Sequence, residues 1–140
     1  MELPPDIASE IRRRIEHYRV HGSGGLSSDG KALRVDGSIG YDCWISPDGD
    51  VYMETYDVLT EDPPQVDRSR RAQLLVLALG ARTLPQLESL LPARPAGATD
   101  CPECKGKGRF HVGEHRLVCN RCCALGWLEV VDSGAETKGA

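Results

Sequence analysis

The sequence predicts an α+β chain. A small N-terminal domain with an antiparallel hairpin or sheet packed by helices is followed by a cysteine-rich module. Three observations predict this. Isoleucines recur at helical spacing after Pro4-Pro5. Aromatic and β-branched runs flank Pro47-Asp48-Gly49-Asp50. Two C-x-x-C pairs, Cys101/Cys104 and Cys119/Cys122, stand beyond a Pro/Ala/Gly-rich stretch.

The predicted organisation is a domain over 1–91, a linker over 92–99, the cysteine module over 100–131 and a disordered tail over 132–140. The first helix is expected over Leu3–Val20, with Ile7, Ile11, Ile15 and Tyr18 on one stripe and the prolines in its first turn. Gly22 to Gly25 end it. That run reads as a loop, because a phosphate cradle needs a strand before and a helix after. Strands are expected at Lys31–Asp36, Tyr41–Ser46 and Val51–Val58, the last two joined by the Pro-Asp-Gly turn. Alternation puts Tyr41, Cys43 and Ile45 on one face and Trp44 on the other. Trp44, Tyr52 and Tyr56 are expected under a helix, or else as an exposed aromatic patch. Pro63-Pro64 stop the strands. Asp67 is expected to cap a helix to about Ala81, and Thr83 to open a short helix through Leu91.

The cysteines carry the most specific signal. Fourteen residues separate the two pairs. Two knuckles facing each other bring four thiolates to tetrahedral spacing, which suits one Zn²⁺. Glycines follow each pair. The first half reads C-x-x-C-x-G-x-G through Gly106 and Gly108; the second reads C-x-x-C-x-A-x-G through Ala124 and Gly126. Glycine permits the tight turns a knuckle needs. The repeat predicts two similar half-sites closing on one metal. Four protein ligands leave no place for substrate, so the expected role is structural, and metal removal is expected to unfold 100–131. Cys123 reads as a small side chain beside the site, with exchange into the ligand set as its alternative. His111 and His115 are expected near a hairpin tip, solvated rather than ligating. A thioredoxin-like C-x-x-C would open a helix after a strand; glycine turns follow here instead.

These repeats resemble the cysteine-rich zinc domain of DnaJ-type co-chaperones. That domain has four repeats and two zinc ions; the two repeats here resemble one half, over about a quarter of the chain. The resemblance implies zinc ligation by Cys101, Cys104, Cys119 and Cys122 and a protein-binding role. No HPD tripeptide is present, so recruitment of a chaperone ATPase does not carry over.

Composition narrows the function. The chain has 140 residues and a formal charge of −4, against a generally nucleic-acid-binding surface. The N-terminus MELPPDIASE does not read as a signal peptide, no apolar run spans a membrane, and thiols at metal spacing favour a reducing cytoplasm. From Val35 to Asp67 there are nine acids and no Lys or Arg. Such a run either pairs with flanking basic helices or faces a basic partner protein. Candidate binding residues are Trp44, Asp48, Asp50, Tyr52, Glu54 and Tyr56. Asp48-Gly49-Asp50 lacks the spacing of a calcium loop. His17 and His21 lie four apart without an H-E-x-x-H motif and read as helix-end histidines. No nucleophile–base constellation supports an enzyme. The leading expectation is a non-catalytic interaction module: an adaptor, inhibitor or accessory chaperone. Nucleic-acid binding through Lys105, Lys107, Arg109, Arg116 and Arg121 is the second expectation, and thiol–disulfide chemistry the third.

Overall fold

A computed structural model of the chain describes residues 1–22, 24–113 and 115–128. The expected tail at 132–140 and the end of the expected module at 129–131 lie outside the described residues. The chain divides into two compact units, Met1–Glu88 and a second beginning at Ser89. No helix among the described residues is long and apolar enough to cross a membrane.

The first unit has α+β architecture. Helix α1 spans Pro5–His21. Pro5 sits at its first position, and Ala8 donates to the Pro4 carbonyl at 3.0 Å. Ile7, Ala8, Ile11 and Ile15 are buried, as the helical spacing predicts. The solvent side carries i,i+3 and i,i+4 pairs: Arg13 and Arg14 both hold Glu10, drawing its carboxyl down to about 2. Gly22, with φ of 68°, ends the helix in the left-handed conformation, its N–H on the Tyr18 carbonyl at 2.8 Å.

Four antiparallel strands follow in sequence order: β1 Leu33–Ser38, β2 Tyr41–Ile45, β3 Val51–Thr55 and β4 Gln65–Asp67. The Pro-Asp-Gly turn joins β2 to β3 in register, Ile45 opposite Val51 and Trp44 opposite Tyr52. A bulge at Val35 shifts the β1–β2 register. Helix α2, Arg70–Gly80, contacts β1, β2 and β3. Its Gly80 permits close approach: a Cβ there would sit 2.7 Å from Val35 Cγ2. The core gathers Ile11, Leu33, Val35, Ile45, Leu74 and Leu77, all fully buried. Leu77→Ala is expected to cost about 2–5 kcal/mol. A lowered urea midpoint for the first unit, with unchanged metal content, checks this.

Several expectations need correction. Ser69, not Asp67, caps α2: its side chain accepts from Ala72 N–H at 3.1 Å. Asp67 is in β4, opposite Met53, and its carboxylate accepts from Ser69 N–H at 2.8 Å. The Pro63-Pro64 pair therefore does not end the sheet. β3 stops at Thr55 rather than Val58, because Asp57 folds the chain into a turn, accepting from Leu59 N–H at 2.9 Å. The segment after Thr83 is a 3₁₀ helix, Pro85–Leu90.

In the second unit, residues 92–99 contain no helix or strand. Strands β5 Arg109–Val112 and β6 His115–Val118 form an antiparallel pair between the two cysteine knuckles.

Candidate metal centre

Each cysteine pair is held by a turn that recurs after eighteen positions. Gly106 N–H donates to the Cys101 carbonyl at 3.1 Å, and Ala124 N–H to the Cys119 carbonyl at 3.0 Å. Lys107 and Leu125 N–H groups reach the Cys104 and Cys122 carbonyls at 3.2 and 3.1 Å. Gly108 N–H points at Cys104 Sγ at 3.1 Å, and Gly126 N–H at Cys122 Sγ at 3.3 Å. The halves are then tied reciprocally. Cys101 N–H donates to the Gly126 carbonyl and Cys119 N–H to the Gly108 carbonyl, both at 2.9 Å. Asp100 bridges Trp127 as Val118 pairs with Arg109. The module is thus a local two-fold repeat in hydrogen bonding as well as in sequence.

Positive φ recurs with the same offset: Lys105 at 56° and Cys123 at 55°, Gly106 at 79° and Ala124 at 68°, Gly108 at 75° and Gly126 at 85°. Two of these positions require glycine twice over. A Cβ on Gly126 would meet the Gly106 carbonyl oxygen at 2.6 Å, and one on Gly108 would collide with the Ala124 carbonyl. Neither knuckle can carry a side chain there and still close on the other.

The result is a cluster of Cys101, Cys104, Cys119 and Cys122, all buried, with their sulfurs within 4.8 Å of one another. Across the two knuckles Cys101 Sγ lies 3.8 Å from Cys119 Sγ, and Cys104 Sγ 3.7 Å from Cys122 Sγ. All four are free thiols. Phe110 and Leu128 pack against them. Four converging sulfurs can hold one metal ion, and the two N–H···S bonds favour thiolates. Burial pushes the Cys101 and Cys122 thiols up. At Cys104 burial acts in the same direction, but the Gly108 N–H and the neighbouring sulfurs outweigh it and hold that thiol below the usual range.

Cys123 is buried but outside the cluster; its thiol faces the Asn120 carbonyl at 3.9 Å. It occupies the left-handed position that Lys105 takes in the other half. Cys123→Ala is expected to retain the full metal complement and Cys122→Ala to lose it, as elemental analysis of the purified variants will read. Cys43 is fully buried in the first unit, and burial raises its thiol to about 12, so it is unreactive. Positions 111 and 115 flank the β5–β6 turn, but His111 pairs with Arg116 and His115 with Val112, so the histidines are not register partners.

The six candidate binding residues of the first unit separate. Asp48, Asp50 and Tyr52 line one cavity of about 570 Å³, together with Arg12, Lys31 and Arg68. Arg68 was not among the expected residues. Its guanidinium is bidentate on Asp50, at 2.8 and 3.0 Å, and lies 4.5 Å from the Tyr52 ring centre. Arg68, just after the acidic run, and Arg34, just before it, thus neutralise part of that run, Arg34 holding Asp42 at 2.6 Å. Trp44 is buried, and its indole N–H has no partner among the described residues. The Tyr56 hydroxyl donates to the Ser38 carbonyl at 3.2 Å. The carboxylates of Glu54, Glu61 and Asp62 make no hydrogen bond or ion pair among the described residues, though Asp62 N–H donates to Thr60 Oγ1 at 3.4 Å.

No family model, curated protein or solved structure matches the chain. The likeness to the DnaJ-type zinc domain therefore stands on the repeat motif alone.

Proposed function

We propose that the protein is a non-catalytic interaction module, an adaptor, inhibitor or accessory chaperone, in which one structural zinc holds a DnaJ-like ribbon. The sulfur geometry supports the metal assignment. A tetrahedron with Zn–S of about 2.3 Å has edges near 3.8 Å, the spacing across the knuckles at 3.8 and 3.7 Å. Cys101, Cys104, Cys119 and Cys122 would hold the ion, and it would supply fold stability rather than a reactive water. Reduced thiols at such a site suit a cytoplasmic protein.

The observation that carries the interaction reading is an exposed apolar tip within the acidic run. Ile39, Val58 and Leu59 are 84%, 58% and 90% exposed. Tyr56 N–H on the Gly40 carbonyl, at 3.0 Å, brings the β1–β2 turn to the exit of β3, where Val58 and Leu59 follow. Unpaired Glu61 and Asp62 lie just beyond. Apolar anchors rimmed by acids suit a partner with an apolar patch and a basic rim.

Affinity capture with the zinc-loaded protein tests this reading. Proteins bound by the wild type should be lost with Ile39→Ser/Leu59→Ser and weakened by Glu61→Lys/Asp62→Lys. Capture that neither double variant changes would contradict it. Retardation of DNA or RNA by the intact chain at low salt would favour the nucleic-acid reading instead.

A further inference from the structure

The last turn of α1 carries a pair of side chains that the cysteine cluster and the interaction reading leave unused. His17 and His21 stand four residues apart, one above the other on the same face of the helix. Their ring centres are 4.4 Å apart, with the planes tilted by 46°. Both residues are exposed. Neither imidazole makes a hydrogen bond or ion pair among the described residues; beyond each other, the one ring contact is Tyr18 against His17 at 5.8 Å.

Two imidazoles on successive turns can offer two nitrogen donors to one ion, the spacing by which helical H-x-x-x-H pairs hold metals. The helix end adds partial negative charge close to where the ion would sit. The neighbouring cations are engaged: Arg13 and Arg14 with Glu10, and Arg19 with Glu16 at 3.0 Å. Imidazole nitrogen selects the later first-row divalent ions, Ni²⁺, Cu²⁺ and Zn²⁺, over Mg²⁺ and Ca²⁺.

We propose that His17 and His21 form a second metal site, which chelates a divalent first-row transition ion between two turns of α1. Two protein ligands leave the other positions to water, so this ion exchanges freely. It differs in that respect from an ion enclosed by four buried sulfurs. The two sites also differ in donor: thiolate sulfur at the cluster, imidazole nitrogen on the helix. Loss of one can therefore be read separately from the other.

The test uses the full chain with its cysteine site filled by zinc, and Ni²⁺ as the probe. Substoichiometric paramagnetic Ni²⁺ should broaden the ring-proton resonances of His17 and His21 together, before those of His111. His17→Ala and His21→Ala should each lower Ni²⁺ affinity at this site about tenfold or more, because each removes the chelate. Both are exposed helix positions where alanine is well tolerated. Circular dichroism and zinc content of the variants should match the wild type. Simultaneous broadening of all histidines, or a single variant that binds Ni²⁺ as the wild type does, overturns the proposal.

Discussion

Stripping the metal with a strong chelator should unfold the cysteine module while leaving the first unit folded. The module has little else to hold it. Beyond the four cysteines, with Phe110 and Leu128 packed against them, its buried hydrophobic side chains are only Cys123 and Trp127. Its two strands are four residues each, and such a hairpin is marginal alone. Structural zinc contributes apparent folding free energy of about 10–16 kcal/mol in small modules, more than a core of this size can replace. The expected readout is loss of dispersed amide resonances from 100–128. Those of α1, α2 and the four-stranded sheet should persist. Acidification should act in the same direction. Only deprotonated cysteines bind the metal, and in the metal-free, unfolded module the four thiols carry protons near neutral pH, since a free cysteine titrates near about 8.5. Metal uptake must therefore release protons, and falling pH returns them and expels the ion.

Gly126→Ala should be nearly as damaging by a different route. The substitution leaves all four sulfurs in place. Its Cβ would meet the Gly106 carbonyl oxygen at 2.6 Å on a backbone with φ of 85°. Left-handed strain costs about 1–3 kcal/mol, and overpacking against the opposite knuckle about 1–3 kcal/mol more. The halves must separate to relieve it, which spreads the sulfurs. Zinc affinity should fall by about thirtyfold or more, since each 1.4 kcal/mol is tenfold. Competition with a chromogenic chelator reads this. Unchanged affinity would mean that the reciprocal docking of the knuckles does not hold the site together. Ala124→Gly gives the opposite control. Ala124 already carries a side chain at φ of 68°, so glycine should relieve about 1 kcal/mol and tighten binding.

The four-cysteine cluster and its partition into two halves were legible in the sequence because metal spacing is local. Each C-x-x-C turn closes within a few residues, and the eighteen-residue offset sets the copies side by side. The role of Cys123 was written in that same offset. Aligning the halves places it over Lys105, at a left-handed position, rather than beside the ligands as a spare. Helix α1 and the Pro-Asp-Gly hairpin were legible for the same local reason: isoleucine spacing in one, turn chemistry in the other.

What escaped was decided by tertiary pairing. Gln65–Asp67 has no alternating pattern and follows two prolines, yet β3 offers it an open edge. Once Asp67 is committed to that ladder, the cap of α2 passes to Ser69, although Asp suits a cap as well. The Arg68 clamp on Asp50 and Tyr52 follows from β4 as well. It joins residues eighteen apart that only the strand pairing brings together. Trp44 was expected to be covered, but its unpartnered indole N–H has no signature in sequence.

Native mass spectrometry of protein purified without added metal, before and after strong chelator, tests the central claim most directly. The account predicts one tightly held zinc per chain, with Cys101, Cys104, Cys119 and Cys122 protected from alkylation until the chelator removes it. Metal-free protein with those cysteines freely alkylated, or joined as disulfides, would contradict it and turn attention to thiol–disulfide chemistry.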